Sequence, residues 1–185
     1  MSHSFESFKT RAEAVSAEVH RFGTQEEATA FLLSFLQEEG VSPQEGAVCA
    51  AGTFLDGPRK DDLKVKVPGL SFEVSQAASA SSKVGISQLD WGIAATGTLV
   101  QDASAVDKRL VSTLPPIHVA LLGTDRILAD MNSVLEHLRP QELNYLSCIT
   151  GPSRTADIER VLTIGVHGPE RLIIVVVDDL QQVMA

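Results

Sequence analysis

"LIIVVV", Leu172 to Val177, is a run of six aliphatic residues with no polar alternation. A strand with one wet face alternates apolar and polar side chains, so a strand built from this run is covered on both faces. Such strands lie in the interior of a parallel sheet between helical layers. Asp178 and Asp179 follow at its carboxyl end, where open α/β sheets bind ligands. Two carboxylates without further ligands at matching spacing are a poor metal site, and no metal is assigned to them.

Upstream stands "TGPSRTADIERVLTIGVHGPER", Thr150 to Arg171. The spacing predicts a helix from about Thr155 to Ile164, bracketed by the turns Gly151-Pro152 and Gly168-Pro169. Gly151 permits an unusual backbone angle, Pro152 stiffens the turn, and Ser153 or Thr155 caps the helix. A helix N-terminus attracts anions, and Arg154 adds a planar two-pronged donor. Gly151, Ser153, Arg154 and Thr155 are therefore candidate ligand-binding residues. The plainer alternative is capping by Ser153 and Thr155, a dipole partner in Asp157 and a surface ion pair for Arg154. Gly165 is a natural helix stop. His167, in the next turn, is a candidate general base, but a loop histidine more often braces its neighbours.

Further out, "YLSCIT" (Tyr145–Thr150) and "IHVALLG" (Ile117–Gly123) read as strands. Between them Thr124 caps a predicted helix whose apolar face is Ile127, Leu128, Met131, Val134, Leu135 and Leu138, stopped by Pro140. "WGIAATGTLVQ" (Trp91–Gln101) predicts strand, tight turn, strand. Thr96, Gly97 and Thr98 in that turn offer amides and hydroxyls to an anion, although a plain hairpin uses the same residues.

The amino-terminal part is helical by pattern. Phe8, Ala12, Val15 and Val19 form a stripe from Phe5 to about Phe22. Thr24 and Glu27 make a capping box for a second helix bearing Phe31, Leu32, Phe35 and Leu36 and ended by Gly40. Residues 1–40 are thus read as an N-terminal helical segment and 41–185 as an α/β domain. Within the latter, "GAVCAAG" (Gly46–Gly52) is a buried strand and Phe72–Val74 a second short one. Thr53–Gly69 reads as an exposed excursion of turn and charge, and Ser75–Gly85 as a loop.

Composition narrows the function classes. With 185 residues the chain can bury one real core. Its packing rests on alanine, valine and leucine with only 5% aromatics, which favours α/β over a β-sandwich. A net charge of −9 argues against nucleic acid or an anionic membrane as main partner, whereas a small anion needs only a local site. Cys49 and Cys148 offer no CxxC spacing, so the chain by itself provides no iron-sulfur or structural zinc site. Both sit in apolar runs and read as buried free thiols of a reducing compartment. The start "MSHSFESFKTRAEAV" lacks a signal-peptide core, and no run approaches the ~18 apolar residues of a membrane span, so a cytoplasmic location is expected. His3, His20, His118 and His137 show no ligand spacing. GxSxG, Walker and GxGxxG signatures are absent.

Taken in order, "ATGTLV", "STLPPIHVALLG" and "TGPSRTADIERVLTIGVHGPERL" resemble the LUD-domain family and, within it, the lactate-utilisation C proteins. The resemblance covers Gly85 to Asp179. It implies a three-layer α/β/α fold of the NagB/RpiA/CoA-transferase-like kind, with a mainly parallel sheet and added N-terminal helices. It also implies an accessory, non-redox role in oxidising L-lactate to pyruvate beside two iron-sulfur partners (LutA- and LutB-like), with no cofactor in this chain. The matching positions are Thr96, Gly97, Thr98, Gly151, Pro152, Ser153, Thr155, Asp157, Glu159, Gly165, His167, Gly168 and Pro169. The family usually carries glutamate before its TGT; here Ala95 stands in that place. The alternative is an independent enzyme or binding protein for a small carboxylate, phosphosugar or CoA ester at the Gly151–Thr155 loop.

Overall fold

The computed structural model describes residues 2–139, 141, 143–156, 162–164 and 167–180. In chain order the elements are α1 (Ser2–Ala14), β1 (Glu18–Phe22), α2 (Gln25–Glu38), β2 (Ala47–Cys49), α3 (Pro58–Lys66), β3 (Leu70–Ser71), α4 (Gln76–Ser81), β4 (Val84–Gln88) and β5 (Trp91–Ile93). They continue with β6 (Thr98–Asp102), α5 (Val106–Thr113), β7 (Ile117–Gly123), β8 (Ile127–Leu128), α6 (Met131–Leu135), β9 (Leu146–Ile149), β10 (Arg154–Ala156), β11 (Leu162–Ile164) and β12 (Arg171–Val177).

Six strands form a parallel sheet in the order β1-β12-β7-β4-β2-β3. The aliphatic run is β12, an interior strand between β1 and β7 as its pattern requires. Ile173, Val175 and Val177 enter one core with Leu32, Leu36 and Leu63 of the helices α2 and α3. Leu172, Ile174 and Val176 enter another with Phe5, Phe8 and Ala12 of α1. Each such side chain contributes about 1.5–3 kcal/mol on full burial, which is why the strand tolerates no polar residue. The second face is covered by more than helices. A four-stranded sheet, β8-β5-β6-β9, adds Leu99 to the α1 core, and β10–β11 is a separate antiparallel pair.

Several expectations are corrected. The helix from Phe5 ends at Ala14, and Glu18–Phe22 is a strand of the main sheet. Val15 and Val19 fit a helical stripe, but the open edge of β12 offers backbone pairing that overrides it. Charge hides α3, which buries Leu63 and is followed by buried Val67. The small polar stretch after Ser75 is α4, capped by the Ser75 hydroxyl accepting from the Ala78 amide. The short strand expected at Phe72–Val74 is Leu70–Ser71. The predicted long helix after Thr124 is a 3-10 turn, then β8 paired with β5, then α6 capped by Asp130. Its apolar residues are shared between a strand and a helix, which a single periodicity cannot separate. Strand β4 and helix α5 were not foreseen by pattern. The capping box is present, with Glu27 N–H donating to Thr24 Oγ1 and Thr24 N–H to Glu27 Oε2.

The cysteines differ. Cys49 is buried in β2, and desolvation pushes its thiol up to about 12. Cys148 lies on edge strand β9 and is exposed, contrary to the expectation of burial. A thiol reagent near neutral pH is expected to titrate one cysteine per native chain and two after denaturation. Two equivalents reacting at one rate in the native protein would contradict this placement.

Among the described residues no helix is long and apolar enough to cross a membrane.

Candidate functional site

The motif segments converge on the end of α1. Thr96-Gly97-Thr98 is the tight turn from β5 to β6, closed by Gly97 N–H donating to Ile93 O. Register pairs Leu99 with Ile149, so Thr98 lies beside Thr150. The three threonine hydroxyls form a row, with Oγ1 separations of 2.7 Å from Thr96 to Thr98 and 2.9 Å from Thr98 to Thr150. Thr98 is nearly buried; Thr96 and Thr150 are exposed.

Two glycines in this region are dictated by backbone. Gly97 has φ +68°, and a Cβ there would lie 2.3 Å from the amide nitrogen of Ala12. Gly151 has φ +73°, and its Cβ would lie 2.5 Å from Val15 O. Both turns therefore press directly on the carboxyl end of α1. That end is a Schellman closure, with Ala17 N–H donating to Ala12 O and Ser16 N–H to Glu13 O. Ser16 occupies the left-handed position at φ 70° where glycine is usual. The strained loop is held from outside, since Arg154 Nη2 donates to Val15 O at 2.9 Å and to Ser16 Oγ at 2.5 Å.

The two glycine-proline turns also meet. Ser153 N–H donates to Pro169 O at 2.8 Å, and Gly168 packs against Ser153. His167 is exposed in the second turn. The predicted helix between them is corrected by an antiparallel pairing of Arg154 with Ile164, Thr155 with Thr163 and Ala156 with Leu162. β-Branched residues at Thr155, Thr163 and Ile164 suit that pairing. With Arg154–Ala156 in a strand, the helix N-terminus expected directly after Pro152 is not formed by these residues. Asp157, Glu159 and Gly165 lie outside the described residues.

Elsewhere, Asp178 at the end of β12 takes a bidentate pair from Arg21 and the hydroxyl of Thr124. The Arg21 hydrogen bonds hold its carboxyl below the ordinary range. Within the main sheet, His118 Nε2 of β7 meets Ser87 Oγ of the neighbouring β4 at 2.9 Å, both fully buried. Burial lowers the imidazole to about 4.

One concavity adjoins the motif turns. It measures about 360 Å³, and the described residues lining it are Glu6, Ser7, Thr10 and Arg11 on the outer face of α1. The sequence shows these only as the polar flank of the Phe8–Ala12 stripe, indistinguishable from a solvated helix face.

This arrangement of sheet, hairpin and converging turns is that of a LUD-domain protein. The chain belongs to the LUD-domain family, whose profile matches residues 5–177. It is 36% identical over 136 residues to lactate utilization protein C of Shouchella clausii (strain KSM-K16), covering 69% of this chain and 56% of that protein. It is 33% identical over 190 residues to lactate utilization protein C of Geobacillus sp. (strain WCH70), covering 90% and 78%. The chain spans about half the length of several curated relatives it matches. A crystal structure of a DUF162 family protein from Deinococcus radiodurans superposes with a TM-score of 0.66 over 95% of this chain and 97% of that one. At 18% identity it shares the fold.

Proposed function

We propose that the chain serves lactate utilisation as an accessory component without a redox centre of its own, acting beside iron-sulfur proteins that convert L-lactate to pyruvate. The observation that carries the reading is the shared name of its relatives in Shouchella and Geobacillus, both lactate utilization protein C. Fold kinship alone carries no activity. The thiol inventory supports the accessory role. A four-thiolate cluster needs four cysteines, and this chain has two, on different sheets. Side chains alone do not hold the two electrons released from a 2-hydroxy acid.

Loss of the gene is expected to impair growth on L-lactate while leaving growth on pyruvate intact. Purified chain mixed with L-lactate and an artificial electron acceptor should form no pyruvate until iron-sulfur partners are added. Pyruvate from the chain alone at the rate of the complete mixture defeats the accessory reading.

A further inference from the structure

We infer that the outer face of α1 is a binding site for a small 2-hydroxy carboxylate, with Arg11 as the cation that receives the carboxylate. Phe5, Phe8 and Ala12 turn into the core, which fixes the opposite side of the helix outward. There Glu6, Ser7, Thr10 and Arg11, at helical positions i, i+1, i+4 and i+5, line the 360 Å³ concavity. The Ser7 hydroxyl donates to Ala94 O at 3.3 Å, which sets the concavity against the strand end leading into the Thr96–Thr98 turn. The Thr10 hydroxyl donates to Glu6 O at 2.8 Å.

Those bonds decide the ligand chemistry. With both hydroxyl hydrogens committed, Ser7 and Thr10 present oxygen lone pairs, and the Glu6 carboxylate is also an acceptor. Arg11, exposed on the helix, supplies the donors, and its side chain makes no hydrogen bond or ion pair with another described residue. Arg154, the cation expected from the sequence, instead binds Val15 O and Ser16 Oγ. A matching ligand therefore carries one anionic group for Arg11 and one hydroxyl that donates to the waiting oxygens. A plain carboxylate lacks the donor. A phosphate dianion adds charge beside Glu6. A 2-hydroxy acid satisfies both sides.

The choice of L-lactate as probe rests on the proposed function. The full chain is titrated with sodium L-lactate, propionate and inorganic phosphate, followed by calorimetry and by amide shifts along α1. L-lactate is expected to bind more tightly than propionate or phosphate and to move the amides of residues 6–11. Arg11→Ala should weaken it about tenfold or more, as loss of one charge-assisted contact does, with an unchanged melting temperature because the side chain is exposed. Lys9→Ala, which removes an equal charge from the same helix, should keep the wild-type affinity. Equal binding of the three anions, no lactate binding, or equal losses in Arg11→Ala and Lys9→Ala would each overturn the site. Lactate binding with normal growth of the gene-deleted strain overturns the proposed function and leaves the site standing; a growth defect without binding does the reverse.

Discussion

Gly97→Ala is expected to lower the stability of the chain by roughly 3 kcal/mol or more, read as the shift in a urea unfolding curve. Two independent costs add. A non-glycine residue held at φ +68° is strained by about 1–3 kcal/mol. The added methyl would also stand 2.3 Å from the Ala12 nitrogen and 2.6 Å from the Arg11 carbonyl carbon, inside contact distance of backbone that has no rotamer to escape into. Overpacking of that kind costs typically 1–3 kcal/mol. Relief requires the carboxyl end of α1 to lift from the turn, so the amides of residues 10–16 should lose hydrogen-exchange protection more than those of β12. A variant within about 0.5 kcal/mol of wild type, the range of ordinary surface changes, would mean that α1 does not rest on this turn.

The second large effect is an acid sensitivity set by His118. Its folded-state value, lowered by burial to about 4, lies below the ordinary 6.5. Above pH 6.5 neither the folded nor the unfolded imidazole is protonated, and the full stability is present. As pH falls from 6.5 towards 4 the unfolded chain takes up a proton that the folded chain refuses, so stability drops. Below about 4 both forms bind it and the slope from this group ends. Linkage converts the gap into a loss on the order of 3 kcal/mol. Carboxylates held low in the fold, such as Asp178, act at more acidic pH. The measurement is therefore the difference between wild type and His118→Leu across pH 4–6.5. The variant should be less stable at pH 7, because Ser87 loses its partner, yet show a flatter pH dependence. Parallel curves for the two proteins would place His118 in contact with solvent.

The sequence spoke most clearly where one physical demand dominated. Leu172–Val177 had to be covered on both faces, and it is. Thr24 with Glu27 had only one local arrangement to offer. Around Trp91–Gln101 the turn residues and the flanking apolar runs agreed, and the hairpin formed. Reading failed where tertiary pairing competed with a local period, as for Val19 in β1 and Ile127 in β8. The candidate site shows the same division. Gly151 was legible as special backbone and Gly97 as part of a tight turn, yet what presses on both, the carboxyl end of α1, lies more than eighty residues upstream in each case and leaves no local mark. Arg154 was legible as a cation near a turn but not as the clamp on Ser16. Arg11 belonged to a polar stripe that any surface helix would carry.

The position of β1 has a consequence for the timing of folding. Glu18 and Arg171 are joined by a two-pronged ion pair across 153 positions, and among the described residues the one strand paired with β1 is β12. On a translating ribosome the amino-terminal strand emerges early and must wait, unpaired, until nearly the last residues described here are made. Contacts of such sequence separation close slowly, and an exposed strand in the meantime is open to wrong partners. The charged and polar residues Glu18, His20 and Arg21 on β1 make that wait safer, because they blunt the strand against association with other nascent chains. The sheet can close only after β12 has been made and has left the ribosome, so the order of synthesis sets the order in which its two halves can join.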